Sequence, residues 1–129
     1  NQNNAPYICM HNKKYEENII DNVYRDFYHI KEKINSPVIF DVGIGFGKNI
    51  EQNYELLKRI KEFSALNTPL LIGHSRKSFL TKAFELSKNE LDEASAFVSA
   101  SLIKEGINIL RVHNVKQHKL LLDLYAKFC

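Results

Sequence analysis

The scarce residues narrow the chain first. It has two cysteines in 129 residues, Cys9 and Cys129, close to opposite ends. That excludes a disulfide scaffold, and they lack metal-ligand spacing, so they read as free thiols of a reducing compartment, with the cytoplasm as the expectation. No apolar run approaches the roughly 20 residues that span a bilayer, and no apolar h-region lies near the start. Neither a membrane span nor a signal peptide is therefore expected. Charge of one sign is not concentrated either: 18 Lys and Arg stand against 15 Asp and Glu, for a net +3, and they are interspersed. A nucleic-acid surface does not follow from that pattern. The only methionine is Met10, and the chain opens on Asn1. It is thus expected to be the C-terminal part of something longer, with residues 1–129 a single partial domain.

The remaining composition, 44% hydrophobic and 26% charged, is that of an ordinary globular domain. Residues 1–5 are polar and expected to be loose. Pro6–Met10 reads as a short strand. From Glu16 a helical period places Ile19, Ile20, Val23, Phe27, Ile30 and Ile34 on one face, until Asn35-Ser36-Pro37 stops it. Val38-Ile39-Phe40 is a second strand ending in Asp41, followed by a glycine loop through Lys48. A helix is expected from Glu51 to Leu66, with Tyr54, Leu57, Ile60 and Phe63 inward. Pro69–Ile72 is a continuous apolar run that suits a strand covered on both faces. Its helix carries Phe79, Leu80, Ala83 and Phe84, and Ser87–Asn89 breaks the pattern. A further helix, rich in Ala and Ser, is expected from Asp92 to Glu105, with Gly106 as its stop. Ile107–Val112 is the fourth strand. Lys116–Phe128 is the last helix, with Leu120, Leu121, Leu124 and Phe128 inward.

Strand and helix alternate four times, with one extra helix. The fold class is therefore α/β, with parallel strands joined by helical crossovers. Two architectures fit: a small open doubly wound sheet, or half of a (β/α)8 barrel, which takes about 250 residues.

In either architecture, ligands meet the C-terminal ends of the strands. The sequence places His11, Asn12 and Lys13 there, then Asp41 with its glycine loop, then Gly73–Ser78, then Arg111, His113 and Asn114. Of five glycines, Gly43, Gly45, Gly47 and Gly73 lie in these turns, where φ > 0 or a close backbone approach is useful. The spacing is neither that of a P-loop nor that of the dinucleotide fingerprint. Ser75-Arg76-Lys77-Ser78 sets donors and positive charge at a helix start, a recipe for an anion. Arg111 and His113, two apart on a strand, would leave the same face as a cationic grip for phosphate, or be a salt-bridged Arg and a core His. Asp41, ending an apolar strand, needs a partner: the amidine-like edge of a ligand, or Lys77 or Lys48. Phe46, between glycines, is a candidate ligand contact, whereas Phe79 suits packing. Met10 suits core or pocket wall.

Asp41-Val42-Gly43-Ile44-Gly45-Phe46-Gly47-Lys48, with Asn53, Leu56 and Leu57 beyond it, resembles the Asp-Pro-Gly-Ile-Gly-Phe-Gly-Lys motif of the dihydropteroate synthase family. Pro69-Leu-Leu-Ile-Gly-His-Ser-Arg-Lys-Ser-Phe79 is similar to that family's second signature. Arg111-Val112-His113-Asn114-Val115 is similar to its third, Arg-Val-His-Asp-Val, and Ala5–His11 to its fifth strand. The resemblance implies the last four units of a TIM-type barrel. It also implies a transferase of folate biosynthesis, joining 7,8-dihydropterin-6-ylmethyl diphosphate to p-aminobenzoate, with sulfonamides as competitors. On that resemblance Asp41 would bind the pterin, and Lys77 the pterin beside the aminobenzoate. Ser78 would hold the aminobenzoate carboxylate, with Phe46 against its ring. Arg111 and His113 would grip the departing diphosphate, so that Lys77, Arg111 and His113 are the catalytic candidates. Met10, Gly73, Arg76 and Val112 complete the expected substrate contacts.

Mg2+ is implied too, with ligands expected in the half of the family's barrel that has no counterpart here, and none in this chain. A homodimer is the expectation for the complete enzyme. The 129 residues alone are expected neither to turn over nor to bind magnesium. Val42 stands for the family's proline and Asn114 for its aspartate, which leaves the local hydrogen bonding at Asn114 open. The rival readings are a truncated, inactive pterin-binding module and a pterin-binding methyltransferase-like domain.

Overall fold

The computed structural model describes residues 5–129, so the expected loose tail lies, apart from Ala5, outside the described residues. Strands β1 (Tyr7–Met10), β2 (Val38–Asp41), β3 (Leu70–Ile72) and β4 (Ile109–Leu110) form one sheet in the order β1-β2-β3-β4. Every neighbouring pair is parallel: Met10 pairs with Asp41, Asp41 with Leu71, and Ile72 with Leu110. The helices are α1 (Ile19–Lys33), α2 (Ile50–Lys58), α3 (Ser78–Ala83), α4 (Lys88–Lys104) and α5 (Val115–Phe128). All three residues of β3 are buried, as a strand with neighbours on both sides and both faces covered requires.

The core is aromatic at its centre. The Phe27 ring of α1 stacks on Phe40 of β2 at 4.2 Å between centroids, and Phe63 meets Phe27 edge-on at 6.2 Å. Val23, Ile60, Leu56, Ile72 and Leu102 close around them. Each such side chain contributes about 1.5–3 kcal/mol by leaving water, which holds α1 and α2 on the sheet and so fixes the strand ends relative to one another.

Several element bounds differ from the sequence pattern. Helix α1 starts at Ile19 rather than Glu16, because Asn18 takes the left-handed conformation, φ 54°, that asparagine tolerates. The expected helix 51–66 breaks at Arg59, whose guanidinium binds both Glu55 and Glu62. It continues as a 3₁₀ helix, Ile60–Leu66. With three residues per turn, Ile60, Phe63 and Leu66 then share one buried face. Phe84, expected within the helix after β3, instead caps the short α3 in extended conformation and is exposed.

Ser87–Asn89 is a helix start rather than a break. Ser87 and Glu90 form a capping box, so α4 begins at Lys88. Strand β4 keeps only Ile109–Leu110 of the expected 107–112.

The largest departure is in α5. Leu120, Leu124 and Phe128 are exposed, Phe128 at 83%, while His118 is the buried residue. Among the described residues α5 packs chiefly on α4. Periodicity identifies an apolar face but not what covers it. Likewise β1 leaves Tyr7 and Ile8 exposed at one sheet edge. No helix among the described residues is long and apolar enough to cross a membrane.

Candidate functional site

Parallel registration carries the polar ends of all four strands to one rim of the sheet. The His11 amide bonds Asp41 O at 2.8 Å, and the Arg111 amide bonds Ile72 O at 3.0 Å, extending the ladder past the strand ends. Asp41, buried at 1% exposure, accepts from the Gly43 amide at 2.9 Å on Oδ1 and from Arg111 Nη1 at 3.0 Å on Oδ2. Its charge partner is thus Arg111, not the expected Lys77 or Lys48. The reason is Gly73: a Cβ there would lie 2.4 Å from Arg111 Nη2, so only glycine leaves the guanidinium a path to the carboxylate.

Lys77 reaches the same place from the turn after β3. Its Nζ donates to Ile44 O at 2.6 Å and sits 4.5 Å from the centroid of the Phe46 ring. Gly45 makes room for its stem, since a Cβ would lie 3.1 Å from Lys77 Cδ. Burial pushes the Lys77 ammonium below its ordinary range, Arg111 adds to that, and Asp41 opposes it. The glycine loop is pinned from α2, where Asn53 Oδ1 accepts from the Gly45 amide at 2.9 Å. Gly43, Gly45 and Gly47 all have positive φ, 72°, 85° and 70°. The fold therefore brings Asp41, Phe46, Gly73, Lys77 and Arg111 together.

Other expected residues stand apart from this group. Because β4 stops at Leu110, strand alternation does not carry Arg111 and His113 to one point. His113 is held by Ser75, whose Oγ lies 3.1 Å from its amide and 3.0 Å from its Nδ1. Arg76, at φ 54°, makes a bidentate pair with Asp92 of α4 at 2.6 and 2.9 Å, which occupies the guanidinium expected to meet an anion. Its amide bonds Ser95 Oγ at 3.1 Å.

Ser78 opens α3 and lines a cavity of about 710 Å³ with Gly45, Asn53, Tyr54, Phe79 and Lys82. Phe79 packs edge-on against Tyr54 at 5.2 Å and is buried. Val112 is half-buried in a groove that it lines with Leu110, Arg111 and Val115. Met10, half-exposed, lies beside Asp41 in the register.

The residues that position the site were mostly not singled out from sequence. Ser75 stood in the Ser-Arg-Lys-Ser turn as an anion donor rather than as the holder of His113, and Asp92 and Ser95 carry no motif of their own; their one signal was the Ala- and Ser-rich character of α4, which places a hydroxyl against the β3 turn. His74, fully buried, has Nε2 at 2.8 Å from Ser99 Oγ, which in turn lies 2.7 Å from His118 Nε2. Burial pushes His74 down to about 4, so the ring is neutral. Asn114 caps α5 by accepting from the Gln117 amide at 3.0 Å, and its Nδ2 lies 3.3 Å from Asp92 Oδ2. An aspartate there would face Asp92 with a second carboxylate, so the amide suits this neighbourhood. Val42 is wholly buried in the core.

Comparison with known proteins gives a consistent picture. The model of the pterin binding enzyme family matches residues 1–113. The dihydropteroate synthase of Escherichia coli (strain K12) is 40% identical over 87 residues, which are 67% of this chain and 29% of that protein. The crystal structure of the Yersinia pestis dihydropteroate synthase superposes with a TM-score of 0.87 at 27% identity, covering 98% of this chain and 56% of that one. That of the Thermus thermophilus enzyme in complex with 6HMPPP gives 0.89 at 24% identity, covering 99% and 55%, a likeness of fold. These structures are TIM barrels, and the four parallel β/α units here form a portion of that architecture. The chain spans between about a third and about half of the length of these relatives.

Proposed function

This chain belongs to the pterin-binding enzyme family, and from that premise we propose that it is the C-terminal half of a dihydropteroate synthase. The reaction would join 7,8-dihydropterin-6-ylmethyl diphosphate to p-aminobenzoate. The observation that carries the reading is the convergence of Asp41, Lys77, Arg111 and Phe46 at one sheet rim.

A carboxylate offers about four lone-pair sites, and Asp41 uses two of them on Gly43 and Arg111. Two remain for N–H donors on the edge of a pterin. Lys77 borders that edge and the Phe46 ring, against which an aminobenzoate ring would lie. Ser78 supplies a hydroxyl for the aminobenzoate carboxylate. Arg111 would meet the diphosphate from its place beside Asp41, and His113 would approach it separately from its hold on Ser75. In the step, the C–O bond from the pterin methylene to diphosphate breaks with its electron pair leaving on oxygen. The amine nitrogen then forms the C–N bond and loses a proton. The chain's contribution is orientation and fixed positive charge where negative charge departs, rather than a covalent intermediate. The Ser78 hydroxyl and the pair of Arg111 and His113 favour this reaction over a methyltransferase, which would need neither.

The resemblance also implies magnesium. Among the described residues no three His, Cys, Asp or Glu side chains gather as metal ligands. Its ligands would belong to the part of the enzyme this chain does not span. The exposed Leu120, Leu124 and Phe128 supply an apolar face for a homodimer of the complete enzyme. Free thiols at Cys9 and Cys129 suit a reducing, cytoplasmic setting. Sulfonamides would compete at the aminobenzoate position.

The test is complementation in trans. The chain is mixed with the separately produced N-terminal half of the Yersinia pestis synthase, and diphosphate release from the two substrates is followed. Release that appears only with both halves, and is lost with Asp41→Asn or Lys77→Ala, supports the reading. If the mixture neither releases diphosphate nor binds the pterin substrate by calorimetry, the chain is a binding-dead module and the reading fails.

A further inference from the structure

A second polar cluster holds the glycine loop from the β1 side. Tyr15 donates to Asp26 Oδ2 at 2.6 Å, and the same oxygen lies 2.9 Å from His11 Nε2. An ionised carboxylate only accepts, so the His11 ring carries its proton on Nε2 and presents a bare Nδ1. Lys48 Nζ lies 3.0 Å from that Nδ1, and also bonds Phe46 O at 2.8 Å and His11 O at 3.3 Å. These are three acceptors for an ammonium with three donors. The ring's tautomer and the lysine's charge therefore require each other.

The loop has no slack against this anchor. A Cβ on Gly43 would lie 1.8 Å from His11 O and 3.2 Å from Lys48 Nζ, so loop backbone rests directly on the end of β1. Phe46, whose carbonyl Lys48 holds, closes the turn through its amide to Gly43 O at 2.9 Å. Its ring is the one beneath the Lys77 ammonium.

We propose that Lys48, through a His11 ring oriented by Asp26 and Tyr15, is the positioning residue of the glycine loop and fixes the Phe46 ring beneath Lys77. The bearing of this on recognition of an aromatic substrate rests on the synthase reading. The arrangement itself does not, and it is tested without any ligand.

The groups facing the cluster agree with it. Lys13, after β1, lies 3.8 Å from Asp26 Oδ1. His29 and Lys33 of α1 border the small cavity beside His11 and Asp26. Burial lowers His11 from its ordinary value, with Asp26 opposing and Lys48 and Lys13 assisting, so the ring is neutral at pH 7. Burial brings Lys48 down to about 8, with Asp41 holding its proton and Lys77 repelling it. Acid would convert Nδ1 from acceptor to donor opposite the ammonium and release the loop.

The experiment is heteronuclear NMR on the full chain. Expected are His11 ring nitrogens showing Nε2–H with a bare Nδ1, and Lys77 side-chain protons shifted upfield by the Phe46 ring. In Lys48→Met the amides of Gly43, Gly45 and Gly47 move and the Lys77 upfield shift is lost. Asp26→Leu removes the acceptor that holds Nε2–H, so the ring loses its fixed orientation and the same loop shifts follow with Lys48 still present. A merely structural lysine would not respond to the loss of that orientation. A wild-type ring protonated on Nδ1 would overturn the proposal. So would unchanged glycine amides and an unchanged Lys77 shift in either variant. If Lys48→Met does not fold, Asp26→Leu and the wild-type tautomer still decide.

Discussion

Arg111 and Asp41, seventy residues apart in the chain, are joined by a 3.0 Å hydrogen bond that passes over the bare Cα of Gly73. The carboxylate is 1% exposed and the guanidinium side chain 51%, so the buried partner depends on this contact more than the open one does. The atom a Gly73 Cβ would strike is the tip of a flexible side chain rather than backbone, so Gly73→Ala displaces the guanidinium and leaves the buried carboxylate without its charge partner. Stability should fall by about 1.5–3 kcal/mol, the range of a charge-assisted hydrogen bond, as read by chemical denaturation. A variant as stable as the parent would show that Asp41 does not depend on Arg111.

Gly43 and Gly106 separate conformational strain from collision. Both have positive φ, 72° and 82°, but a Cβ on Gly43 meets His11 O at 1.8 Å while one on Gly106 meets nothing within 4 Å. Gly106→Ala should cost about 1 kcal/mol, the left-handed penalty alone. Gly43→Ala should cost more than that, about 2–3 kcal/mol, since backbone rather than a side chain must move. Chemical denaturation of the two variants measures the difference, and similar midpoints would count against it.

Acid should weaken the fold through His74. Its folded value is lowered to about 4 by burial, against about 6.5 when unfolded. Between those values the unfolded chain binds a proton that the folded chain refuses, so stability falls as pH drops from about 6.5 to about 4. The full effect is on the order of 3 kcal/mol, and His11, also lowered, acts in the same direction. His74→Asn should flatten the slope of stability against pH in that window. An unchanged slope would place the acid sensitivity elsewhere.

The outward face of α5 should govern self-association. Leu124 is 47% exposed and Phe128 83%, so Leu124→Glu should change the stability of a single chain by no more than about 0.5 kcal/mol. If a second copy covers this face, the substitution shifts elution on size exclusion to the smaller species. No shift would show that the stripe is covered by something other than another copy.

Ser75→Ala should free His113 by removing the oxygen that holds both its amide and its ring. The expected cost is about 1 kcal/mol in stability and a weaker hold on inorganic pyrophosphate, read by calorimetry on the complemented enzyme. A variant that binds pyrophosphate as tightly as the parent would remove His113 from the anion site.

Local chemistry was legible directly. The alternation of strand and helix, the three loop glycines with positive φ, and the gathering of polar residues at one rim all follow from periodicity, turn chemistry and parallel topology. Those are written within a few residues of each position, and short-range sterics enforce them. The pairing of charges was not legible. By sequence Asp41 was expected to pair with Lys77 or Lys48, and Arg111 reached it instead because strand register and the missing Cβ of Gly73 opened one path. Arg76, adjacent to Lys77, turned to Asp92 because its backbone entered the left-handed region and α4 offered a carboxylate there. His113 went to Ser75 because β4 ended early. The apolar stripe of α5 was visible as a period, yet which side of the helix is covered was decided by its packing on α4. A sequence determines which groups a strand end presents; only packing at ångström scale decides which of several like charges meets a given acid.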